Sequence, residues 1–156
     1  MRMDDAVGVL ARADFFDICD DEQLRILGFT GDRKHFGADS IIYKAGDVPQ
    51  GAFVLIEGTI KAKHEGAEAG KPYALSEPGS AISPTALIID RPRPVTFTAV
   101  TDCDLLFVPR ASFMKLAQQY PDLAQRAAER IQQDLGRYMH ALEPQRKKIS
   151  GSYFKV

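Results

Sequence analysis

From about residue 33 the apolar positions switch to a period of two, and glycines close the runs that carry it. The runs are RKHFGADSIIYKAGD, AFVLIEG, TIKAKHE, PYALSEPG, VTFTAV and DLLFVP, each bounded by Gly, Pro, Asp or Ser. Alternation of this kind belongs to short strands, each with one face turned to a core. Gly37, Gly46, Gly51, Gly58, Gly66, Gly70 and Gly79 punctuate them. Short strands at regular spacing with glycine turns predict an all-β sandwich or roll over about residues 33–109. The segment 66–71, GAEAGK, reads as a polar loop between strands.

Helical patterns flank this block. Val7, Leu10, Ala11 and Asp14 with Phe15 follow a rough helical spacing, and Asp4 and Asp5 sit where a helix N-terminus favours negative charge. The acidic group Asp20-Asp21-Glu22-Gln23 before Leu24, Ile26 and Leu27 predicts a second short helix. Toward the C-terminus, Ser112 to Gln119 reads as a short helix broken at Pro121. Pro121-Asp122 opens a longer one, with proline in its first turn. Ala124, Ala128, Ile131, Leu135, Tyr138 and Leu142 follow a 4-3-4-3-4 spacing, a narrow heptad-like seam that Pro144 ends. The remainder, 144–156, is a basic tail without a helical stripe. The organisation expected is one domain over 1–156, with N-terminal helices (1–30), the β block (33–109), C-terminal helices (110–143) and the tail.

Charge and cysteine content narrow the function classes. The 156 residues carry a formal net charge of −1 and are 45% hydrophobic and 26% charged. Nothing global attracts nucleic acid or an acidic membrane. No apolar run reaches the roughly 20 residues a spanning helix needs. The acidic N-terminus does not read as a secretory signal. Cys19 and Cys103 occur without a CxxC or a Cys/His cluster, so two free thiols in a reducing cytoplasm are expected. Asp102 and Asp104 flank Cys103 and are expected to raise its thiol pKa. His35, His64 and His140 are scattered, with no second ligand at helical or hairpin spacing, so no metal is expected. No catalytic triad or carboxylate pair stands out, and no enzymatic activity is expected.

Particular motifs go further. Gly46-Asp47 followed by Phe53-Val54-Leu55-Ile56-Glu57-Gly58-Thr59-Ile60 matches the pattern G-D-x(5)-aromatic-x-φ-x-x-G-x-φ. Pro78-Gly79 then begins P-G-S-A-I-S-P-T-A-L, followed by Ile88-Ile89-Asp90-Arg91 and Pro92-Arg93-Pro94-Val95-Thr96-Phe97. In order and spacing these segments resemble the cyclic nucleotide-binding domain family of catabolite activator proteins, kinase regulatory subunits and nucleotide-gated channels. Pro121-Asp122-Leu123 resembles the start of that family's long dimerisation helix. The resemblance implies a mainly β fold: a β-roll or jelly roll of about eight short strands, N-terminal helices and a long C-terminal dimerisation helix. It implies a regulatory module whose default ligand is a cyclic nucleotide or another small anion.

The resemblance also locates departures in the phosphate-binding cassette. The family's cassette glycine is Ser83 here. Its ribose-binding glutamate is Pro84, and the residue after the arginine, which offers an amide to phosphate, is Pro94, which has none. Arg93 remains as an anion clamp, against the alternative of an exposed loop arginine or one paired with a core carboxylate. Ser83-Pro84-Thr85-Ala86-Leu87 reads as an N-cap serine before a short helix whose N-terminus would face the same anion, or serve only as a structural cap. The expected ligand-binding set is Arg93, Ser83, Thr85, Ala86, Thr96 and Tyr138. Tyr138 would lie over the base, although seam packing is the simpler reading. Binding of cyclic AMP and cyclic GMP is expected to be weak or lost. The alternative is a protein-interaction or dimerisation module with a decayed pocket. Expected partners are a second copy, through residues 121–143, and an effector protein. Only twelve residues follow Pro144, too few for a helix-turn-helix, so no DNA partner is expected.

Overall fold

A computed structural model of the chain describes residues 3–66 and 70–141, with side chains placed for 6–66 and 70–133. Helix α1 (Met3–Arg12) is followed by a short 3-10 segment, Asp14–Ile18, and by α2 (Asp21–Thr30). The acidic stretch starts α2 as its chemistry requires. The Asp20 carboxylate accepts the Gln23 amide at 2.8 Å while the Gln23 side chain accepts the Asp20 amide at 2.9 Å. This reciprocal pair satisfies two amides that a helix start otherwise leaves bare.

Eight strands follow: β1 (Asp32–Phe36), β2 (Ile41–Tyr43), β3 (Gly51–Glu57), β4 (Ile60–His64), β5 (Tyr73–Leu75), β6 (Ala81–Ile82), β7 (Val95–Ala99) and β8 (Cys103–Pro109). They form two four-stranded sheets ordered β1-β8-β3-β6 and β2-β7-β4-β5, and the ladders are antiparallel. This is the strand order of a double-sheet jelly roll, as expected for the mainly β fold. β7 shows the cause most simply. Val95, Phe97 and Ala99 are buried, and Thr96 and Thr98 between them are half-buried. β6 escapes periodicity because two residues carry no period. It is fixed instead by pairing, Phe53 with Ile82 and Val54 with Ala81.

The chain closes with α3 (Arg110–Gln119) and α4 (Pro121–Ala141). Two cores result, with the first sheet between them. Leu55, Ile60, Ile82, Phe97 and Leu105 fill the space between the sheets. Leu10, Phe16, Leu27, Val54, Leu106, Phe113 and Leu123 fill the space between that sheet and the helices. β3 and β8 therefore serve both cores with alternate residues. Gly58 holds the β3–β4 turn at φ 119°, and a Cβ there would lie 2.6 Å from the Cys103 sulfur. Only glycine fits such a turn without strain.

The seam read in α4 is only partly free. Leu123, Ala127 and Ile131, at i, i+4 and i+8, are buried in the helical core, where α4 packs on α3 and the Asp14–Ile18 segment, whereas Ala124 and Ala128 are exposed. Ile131 thus belongs to the chain's own core. The side chains of Leu135 and Tyr138, and all of Leu142, lie outside the described residues. No helix among the described residues is long and apolar enough to cross a membrane.

Candidate functional site

The segment from Pro78 to Val95 joins β5 to β7 through β6. Gly79, at φ 94°, turns the chain where a Cβ would lie 2.7 Å from the Arg12 Cβ. After β6, Ser83 takes the left-handed conformation, φ 56° and ψ 48°, and Pro84–Leu87 form a single 3-10 turn. The Ala86 amide donates to the Ser83 carbonyl at 2.9 Å. Ala86 and Leu87 are buried, and Leu87 sits in the helical core.

Ser83 is not the N-cap expected of it. An N-cap residue has extended backbone angles from which its side chain reaches an amide two or three residues on. Ser83 is left-handed, and its hydroxyl makes no capping bond. It is 4% exposed, and its Oγ is buried without a hydrogen-bond partner. The turn is also too short to carry the dipole and free amides of a helix, so the anion-facing helix N-terminus expected there is not formed.

Arg93 is the centre of the arrangement. Its amide donates to the Tyr43 hydroxyl at 3.0 Å, and its carbonyl accepts the Gly46 amide at 3.0 Å. Nη1 donates to Thr85 Oγ1 at 2.9 Å, while Nε is buried with no partner. Burial pulls the guanidinium below its ordinary pKa, opposed by Tyr43 and Tyr73. No carboxylate pairs with it among the described residues. The arginine is therefore neither a loose loop residue nor half of a core ion pair. It is a largely desolvated cation with one buried donor unspent, and such a charge is costly until an acceptor or anion joins it.

Of the residues expected at the site, the structure brings Arg93 and Thr85 into direct contact and sets Ser83 and Ala86 on either side of Thr85. The Thr96 hydroxyl accepts the Ala45 amide at 3.0 Å and so pins the β2–β3 connection. Tyr138 lies in α4, with its side chain outside the described residues.

Two further residues matter that the sequence did not single out. Tyr43 receives the Arg93 amide and donates from its hydroxyl to the Asp47 carbonyl. Arg110 donates from Nε to the Ala86 carbonyl at 2.8 Å and from Nη2 to the Pro49 carbonyl. One signal pointed to Arg110. A cation in the first turn of a helix opposes the helix dipole, and here its side chain turns away to hold the cassette turn.

The family model of the cyclic nucleotide-binding domain matches residues 33–120. Among solved structures, a cyclic nucleotide-binding-like protein from Brucella abortus aligns with a TM-score of 0.62 at 26% identity, over 73% of this chain and 98% of that one. The N-terminal domain of a transcriptional regulator from Streptomyces coelicolor aligns with a TM-score of 0.72 at 24% identity, over 86% and 94%. Lysophospholipase nte1 of Aspergillus niger is 29% identical over 98 residues, which are 62% of this chain and 6% of that much longer protein.

Proposed function

Because this chain belongs to the cyclic nucleotide-binding domain family, we propose that it is a non-enzymatic regulatory module that senses a small anion at Arg93. The observation that carries this reading is the desolvated Arg93 guanidinium, with Nε unspent and no carboxylate partner among the described residues. Thr85 orients it, and Tyr43 fixes its backbone.

The ligand is not held as a cyclic nucleotide is held elsewhere in the family. Pro84 cannot accept a ribose hydroxyl, and Pro94 offers no amide to phosphate. A hydrogen bond to a charged group is worth about 1.5–3 kcal/mol. Losing two weakens binding by roughly 3–6 kcal/mol if additive, about two to four decades in affinity. The module works in the cytoplasm as a homodimer through α4, passing its state to a protein effector. A second reading, an interaction module with a decayed pocket, draws on Phe29 and Met114, which stand 75% and 42% exposed on α2 and α3.

Calorimetric titration with cyclic AMP, cyclic GMP and inorganic phosphate separates the two. Weak binding of at least one anion, abolished in Arg93→Ala, is the expected result. Micromolar or tighter cyclic nucleotide binding would overturn the weak-binding claim. Unchanged anion affinity in Arg93→Ala would remove the assigned role. No binding of any anion leaves the interaction module standing.

A further inference from the structure

A groove of about 420 Å³ opens at the end of the roll where β3 begins and β8 ends, and neither Arg93 nor Thr85 lines it. Tyr43 divides the two places. The residue lines the groove, while its hydroxyl is spent on the Asp47 carbonyl and the Arg93 amide. We propose that this groove is a second ligand site, built for a flat aromatic molecule bearing one negative charge, the aryl carboxylate class.

Two features select that chemistry. Phe53 and Phe107 supply an aromatic surface, their centroids 4.9 Å apart and their planes at 46°. Rings stacked or tilted against such a surface gain beyond simple burial. The charged lining is two ammonium groups, Lys34 and Lys44, against the Asp47 carboxylate, which leaves one positive charge for an anion to match. Lys34 Nζ stands 5.0 Å from the Phe107 ring centroid, so a carboxylate on a ring lying against Phe107 meets it at once. The volume lies within the range of small-molecule pockets. The assignment does not depend on what Arg93 binds.

Amide-shift NMR titration of the full chain with 1-naphthoate tests it, with 1-naphthamide as the uncharged isostere. The expected result is saturable one-site binding of naphthoate below about 1 mM, with shifts centred on 41–53, Ser83 and Phe107. Naphthamide binds more weakly. Lys34→Gln, at an exposed position, lowers naphthoate affinity at least about threefold and leaves naphthamide unchanged. Failure to saturate, shifts centred on the Thr85–Arg93 contact or on the helices, or equal naphthoate affinity in wild type and Lys34→Gln would each overturn the proposal.

Discussion

Ser83 adopts φ 56° and ψ 48°, and the left-handed region costs an L-residue about 1–2 kcal/mol. Its hydroxyl is also buried with no partner, which costs about 1–3 kcal/mol more. Glycine removes both penalties and adds about 0.5–1 kcal/mol of unfolded-state entropy. Ser83→Gly is therefore expected to stabilise the free protein by about 1–4 kcal/mol, with Tm rising roughly 2–4 °C for each kcal/mol. Ser83→Ala keeps the strain and should fall between the two. Thermal denaturation decides, and a Tm below wild type in Ser83→Gly would show that the serine is structurally required. The cassette register and the presence of Arg93 were legible in the sequence, because both are carried by local spacing. The orphaned hydroxyl and the Tyr43–Arg93 bond were not. A side chain's partner fifty positions away is set by how two strands meet, which no local pattern encodes.

The N-terminal helices and α4 lock together where polar and apolar contacts interleave. Arg126 Nε donates to the Ile18 carbonyl at 2.9 Å, and Arg130 reaches Asp17 at 2.6 Å and Asp14 at 3.0 Å. Cys19 lies at this junction. Burial pushes its thiol up to about 12, with Arg126 opposing and Asp20 and Asp17 adding. In the unfolded chain a thiol titrates near 8.5. Above that pH the unfolded state gives up a proton that the folded state keeps, so stability falls as pH rises toward 12 and is intact below 8.5. Urea denaturation from pH 8 to pH 10 should show this loss, and Cys19→Ala should reduce it. Some slope persists in that variant, because the Cys103 thiol is raised as well. An identical pH slope in the variant would show that Cys19 is not responsible. The cause at Cys103 also differs from the sequence expectation. Burial is the main source of its shift, and Asp102 and Asp104 contribute least.

At the scale of the whole molecule, the first sheet is shared by two cores, and α4 covers the outer one with Leu123, Ala127 and Ile131. The heptad reading of α4 found a seam, but two neighbouring apolar stripes run along this helix. Alanine occurs on both, so spacing alone did not say which one the chain uses for itself. With Leu123 and Ala127 turned inward, Ala124 and Ala128 stand exposed four residues apart. Small side chains at that spacing let a second helix approach closely. The proposed homodimer through α4 would use this stripe, and with two-fold symmetry each substitution would enter the interface twice. Ile131 is a poor choice for testing it, because a charge there would be buried in the chain's own core. Ala128→Asp places a carboxylate on the exposed stripe, where two copies repel across the axis. Sedimentation velocity is expected to show a dimer for wild type and a monomer for Ala128→Asp, with urea unfolding of the variant still cooperative. A wild type that sediments as a monomer at high concentration would remove the dimer, and the exposed stripe would then be an ordinary solvated face of the helix.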